Sequence, residues 1–109
     1  MNSDEKSLTI DTLLELAKKS KLNNNQKNKI VQIVENMDNV TETQRERFIM
    51  YYGLNTNGLD FKNMKKIAKI YKCTISAIRI SIVSVRNKLV RLNEGFEVIE
   101  QVLNECKDR

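Results

Sequence analysis

A chain of 109 residues with 40% apolar and 30% charged side chains has material for one compact domain, and its net charge of +5 points weakly to an acidic partner. The absence of Pro and Trp and the presence of only three Gly exclude a turn-dense sheet protein, while the apolar share excludes a disordered chain. With no His, no Gly-rich phosphate loop and no clustered carboxylates, the sequence offers no catalytic residue, metal set or cofactor site, so no enzyme is expected.

Met1 is followed by "NSDEKS", without the basic start and apolar run of a secretory signal. No apolar run is long enough to span a bilayer, so a cytoplasmic protein without a membrane partner is expected. Cys73 and Cys106 are too far apart in sequence to suggest a disulfide framework, and both are expected as small buried apolar residues.

Taken in chain order, Leu8, Leu13, Leu14, Leu16 and Ala17 mark an amphipathic first helix, roughly 7–20. "NNNQKNK" (23–29) contains a turn, and a second helix over roughly 25–37 carries Ile30, Val31, Ile33, Val34 and Met37, with Asn24 or Asn25 as N-cap. "TETQ" sets Thr41 and Gln44 at capping-box spacing, so a third helix starts there and runs through "RERFIMYY" to Gly53, suited to a left-handed cap. "NTNG" (55–58) reads as a loop.

A fourth helix covers about 62–71, with Met64, Ile67, Ala68 and Tyr71 inward, and Lys72, Cys73 and Thr74 make a very short connection. The tract after it, 74–92, is ambiguous. Ile78, Ile80 and Ile82 alternate as in a strand, yet Ile75, Ile78, Ile82, Val85 and Leu89 form one helical stripe. Its length of about 18 residues favours a fifth helix, N-capped by Thr74. Phe96, Ile99, Leu103 and Cys106 then mark a last helix over 94–107, which either continues the fifth or breaks near Gly95.

Charge is concentrated. Residues 62–91 hold nine basic and no acidic side chains, whereas residues 1–61 hold eight basic and nine acidic, and residues 92–109 two basic and five acidic. An ordinary solvated face interleaves Glu with Lys, because opposite charges three or four apart stabilise a helix; here that stabilisation is absent. The window coincides with two helices joined by three residues, in which Ala68 allows close approach, Cys73 plugs the turn and Ile78 anchors the second helix, as a helix-turn-helix requires. Lys62, Lys65, Lys66 and Lys69 could then neutralise a nucleic-acid backbone, with Arg79 and Arg86 on one flank of the fifth helix. Ser76 could bond a base edge or phosphate; Ala77 and Ile80 could only pack on a thymine methyl or sugar.

"VTETQRERFIMYYGL" followed by a loop and "MKKIAKIYKCTISAIRISIVSVRNKL" resembles region 4 of the sigma-70 family of bacterial transcription initiation factors, over about residues 40–92. The matching residues are Thr41, Tyr52, Gly53, Leu54, Ile67, Ala68, Tyr71, Thr74, Ile78, Arg79, Lys88 and Leu89. The resemblance implies promoter DNA contacted near −35 through Thr74, Ser76, Ala77, Arg79 and Ile80, and a hydrophobic contact to RNA polymerase. The chain departs from the family at Ile75, Ser76 and Ala77, usually charged, at Lys65 and Lys66, usually acidic, and at Ser81, usually aliphatic. Its 109 residues leave no room for the family's separate DNA-melting domain, so a standalone regulator or one component of a split factor is expected.

The expected architecture is therefore all-α. Five to six helices surround a helix-turn-helix core, with an N-terminal helical extension (1–39), a DNA-binding region (40–92) and a C-terminal acidic helix (93–109) in one compact domain. The expected function is a DNA-binding transcription regulator acting on double-stranded DNA. The alternative is a protein-binding helical module of the same fold, acting on polymerase, another factor or a ribonucleoprotein; outward Ile80, Val83 and Val90 motivate it. The acidic last helix, with Glu94, Glu97, Glu100 and Glu105, could pair a second subunit as a homodimer or mask the basic segment of its own chain.

Overall fold

The computed structural model describes residues 2–54 and 63–107, and every regular element among them is helical. In chain order these are α1 (Ser3–Lys18), α2 (Asn24–Glu35), α3 (Glu42–Tyr51), α4 (Met64–Tyr71), α5 (Ile75–Val90) and α6 (Phe96–Lys107). The ambiguous Ile/Val tract is thus helix α5, and the chain breaks between α5 and α6, with Gly95 at φ 88. The expected loop at 55–58 and Lys62 lie outside the described residues.

Side-chain chemistry sets the helix starts. Asn2 Oδ1 accepts the Glu5 amide at 2.9 Å, so α1 begins earlier than its apolar stripe suggests, with Asp4 and Glu5 in the first turn facing the positive end of the helix dipole. α2 is capped by Asn23 rather than Asn24 or Asn25. Only Asn23 has Gln26 three residues on, and the pair closes a capping box at 2.8 and 2.9 Å. Thr41 and Gln44 form the expected box at the start of α3, and Thr74 caps α5 by accepting the Ala77 amide at 3.1 Å.

The ends follow one pattern. After α3 the Leu54 amide donates to the Ile49 carbonyl at 3.0 Å and the Gly53 amide to Met50 at 3.2 Å, with Gly53 left-handed at φ 63. The same pair of bonds closes α1 around Ser20 and α4 around Lys72, at φ 60 and φ 54. A side chain at such an angle is strained, because Cβ crowds the following carbonyl. Lys72→Gly should therefore raise stability by about 0.5–1 kcal/mol once the extra freedom of the unfolded chain is subtracted. A urea midpoint that stays put or falls would show that the Lys72 side chain stabilises the turn.

α5 is the centre of the fold, with α1, α3 and α4 packed on it and α6 spanning α1 and α2. Its stripe of Ile78, Ile82, Val85 and Leu89 meets Leu13 and Ala17 of α1, Phe48 of α3 and Ile67 of α4 in one core that also takes in Ile30 and Val34 of α2 and Phe96, Ile99 and Val102 of α6. Each of these side chains larger than Ala17 contributes about 1.5–3 kcal/mol by leaving water. The extension and the last helix share this core with residues 40–92, and the radius of gyration is 13.3 Å, against about 13 Å for a compact chain of this length.

Four apolar expectations are corrected. Leu8, counted in the first stripe, is 69% exposed, and Ile10 is buried instead. Ile75 is 41% exposed, because the first residue of α5 lies at the open end of its stripe. Cys73 and Cys106 are half-buried against the core rather than enclosed. Val90, expected outward, is also half-buried against the core.

Candidate nucleic-acid interface

Helix α4 is short and strongly two-sided. Asn63 caps it by accepting the Lys65 and Lys66 amides at 2.9 and 3.3 Å. Ile67 and Ala68 point into the core, half-buried Met64 and Tyr71 pack beside them, and Lys65, Lys66 and Lys69 are exposed. The left-handed turn at Lys72 reverses the chain, and α5 begins two residues after it. In α5 the helical period that buries Ile78, Ser81 and Ile82 leaves Ile75, Ser76, Arg79, Ile80 and Val83 on the open side, with half-buried Ala77 at its edge. Of these, Ile80 is 67% and Val83 47% exposed.

A network contributed by α3 holds the two helices together. Arg47 Nη1 donates to Ser81 Oγ at 2.9 Å, Ser81 Oγ donates to the Ala77 carbonyl at 3.2 Å, and the Arg47 guanidinium lies 4.7 Å from the centre of the Tyr71 ring. Tyr71 in turn donates to Glu46 Oε2 at 2.6 Å. One turn of α3 therefore grips both α4, through Tyr71, and α5, through Ser81, so the pair is fixed by polar bonds as well as by apolar packing. Ser81 Oγ is thus the acceptor for this arginine. Burial, then the bond to Glu46, pushes the Tyr71 phenol above its ordinary range, with Arg47 opposing. Tyr52, the C-cap of α3, is pushed up to about 12, chiefly by burial and then by Tyr51.

The cations expected at the interface divide into two groups. Arg86 is turned to α1. Its Nε and Nη2 donate to the two Asp11 carboxylate oxygens at 2.9 and 2.7 Å, Nη2 also to Ser7 Oγ at 2.6 Å, and Nη1 to Asn87 at 3.0 Å. The bond to Asp11 raises the guanidinium pKa further, against some desolvation. Arg86 therefore fastens the N-terminal helix, which corrects its expected place beside Arg79. Lys88 likewise donates to the Asn39 carbonyl.

Lys65, Lys66, Lys69, Lys72 and Arg79 are exposed and form no ion pair among the described residues. Thr74 and Ser76 are exposed between Lys72 and Arg79. Lys72 and Ile75 were not singled out by the sequence as interface residues, although their places in the turn and the first helical turn were visible.

Other surface features lie away from this face. A cleft of about 620 Å³ is lined by Ile33, Met37, Asn39, Lys88, Arg91 and Asn93, near the far end of α5. Lys88 is twelve residues beyond Ser76, which puts the two about 18 Å apart along the axis. Among the described residues no group of three or more His, Cys, Asp or Glu is placed to hold a metal, and no helix is long and apolar enough to cross a membrane. Compared with known proteins, the chain matches no family model, no curated protein and no solved structure.

Proposed function

We propose that the chain is a DNA-binding transcription regulator of the sigma region 4 type, in which α4 and α5 form a helix-turn-helix and the start of α5 enters the major groove of promoter DNA. The observation that carries this reading is the open face from Thr74 to Val83, bordered by Lys65, Lys66, Lys69 and Lys72 and free of carboxylates from residue 63 to residue 93. A helix about 10–12 Å across fits a groove about 12 Å wide, so side chains at the start of α5 can meet base edges while α4 lies along the phosphates. The lysines supply affinity without sequence information, and Arg79 is the side chain able to form a bidentate pair with guanine.

A titration of the full chain against a duplex at two salt concentrations tests this. With four to five phosphates neutralised, the logarithm of affinity should fall against the logarithm of salt with a slope of roughly −4. Arg79→Ala should weaken binding by about tenfold or more and leave helix content unchanged, since the side chain is exposed. Absence of binding at low salt would overturn the reading. Exposed Ile75, Ile80 and Val83 favour a second reading, a module of the same fold that docks on polymerase or another protein.

A further inference from the structure

Resting on the DNA-binding reading above, we infer that α5 selects thymine, seating thymine C5-methyl groups in the major groove against Ile75, Ile80 and Val83. The open face of α5 is chemically lopsided. Of the five exposed side chains between Ile75 and Val83, three are branched aliphatics, one is a serine, and only Arg79 is charged. Ser76, Ile80 and Val83 follow one another four and three residues apart, so they share a line along the helix, with Ile75 and Arg79 four apart on the adjacent line. From Ile75 to Val83 the helix advances about 12 Å, the length of three to four base steps.

The bases decide what such a face can accept. In the major groove guanine shows two acceptors, cytosine a donor, and adenine one of each; thymine alone adds a methyl group. An aliphatic side chain pressed on guanine or cytosine strips water from a polar edge and returns no hydrogen bond, whereas against thymine it buries apolar surface on both partners. Selection thus works by attraction to the methyl and by exclusion of G·C pairs at the same positions. The cations around the patch assign it to a polyanion: Lys69 and Lys72 precede it in the chain and Arg79 interrupts it, with no carboxylate between them in sequence and with Glu46 of α3 engaged by the Tyr71 hydroxyl.

The test uses three duplexes of equal length with the full chain at one salt concentration: an A·T-rich duplex, the same duplex with deoxyuridine for every thymidine, and a G·C-rich duplex. Deoxyuridine keeps the pairing and the groove acceptor but removes the methyl. Each methyl lost from a half-exposed seat should cost about threefold, so the deoxyuridine duplex should bind about tenfold to thirtyfold more weakly. The G·C-rich duplex should bind at least as weakly. Ile80→Ala, at an exposed helical position, should fold normally and narrow the gap between the thymine and uracil duplexes. Equal affinity for those two duplexes, with a steep salt slope retained, would overturn thymine selection and leave DNA binding standing. Failure to bind any duplex at low salt would overturn both and assign the aliphatic face to a protein partner.

Discussion

Phe48→Ala should destabilise the protein by about 3–5 kcal/mol. Phe48 is fully buried at the centre of α3, its ring 4.9 Å from that of Tyr52 and tilted by 57°. α3 is the helix most extensively packed on α5, and it also supports α4, so the ring has packed neighbours that cannot all move into the space it vacates. Truncation therefore loses both the transfer energy of the ring and the contacts across the cavity that remains. A domain of this size is stable by about 5–15 kcal/mol, so the variant should lose about a fifth or more of that margin, visible as a large fall in the urea midpoint at constant slope. Leu8→Ala is the natural control, because Leu8 is 69% exposed and its truncation should stay within about 0.5 kcal/mol. A Phe48→Ala loss below about 1 kcal/mol would mean that α3 can settle onto α5 without the ring, and the account of how α5 is held would fail.

The same variant bears on the interface only through folding. Phe48 lies in the core that α5 enters with Ile78, Ile82, Val85 and Leu89, whereas Ser76 and Ile80 are exposed, and its neighbour Arg47 makes the polar grip on Ser81 and Tyr71. Under conditions where Phe48→Ala remains folded, duplex affinity should stay near that of the parent chain.

What could be read in the sequence was local. The helical period of α5, the caps at Thr41 and Thr74 and the turn at Gly53 depend on residues within five positions of one another, and they appear as expected. The N-cap of α2 was misplaced because three consecutive asparagines are each competent; the discriminating partner, Gln26, is three residues from only the first. Ile75 fits the period of the stripe, but a period gives direction and not the reach of the neighbouring helices. Arg86 illustrates the larger limit. Its partner Asp11 is 75 residues away in sequence, so an acid-free window in the chain need not be acid-free in space. The +9 of residues 62–91 overstated the free charge, with Arg86 and Lys88 both turned to internal acceptors. The clamp of Arg47, Ser81, Tyr71 and Glu46 was invisible for the same reason, since each contact crosses from one helix to another.

Replacing Lys65, Lys66 and Lys69 together by glutamine should weaken duplex binding by roughly 10²-fold at about 0.1 M salt and make the log-log salt slope shallower by about two to three. The three side chains are exposed and hold no ion pair among the described residues, so stability should change by less than about 0.5 kcal/mol per position. Phosphate contacts carry no base information, so the weakened variant should still prefer the thymine duplex to the deoxyuridine duplex by the same factor. That combination separates the roles of the two helices: α4 sets how tightly any duplex is held, and α5 sets which one. Ile80→Ala should show the converse, a reduced preference with an unchanged slope. A triple variant that binds with the parent's slope would place the phosphates against other cations, of which exposed Lys72 in the turn before α5 is the first to substitute.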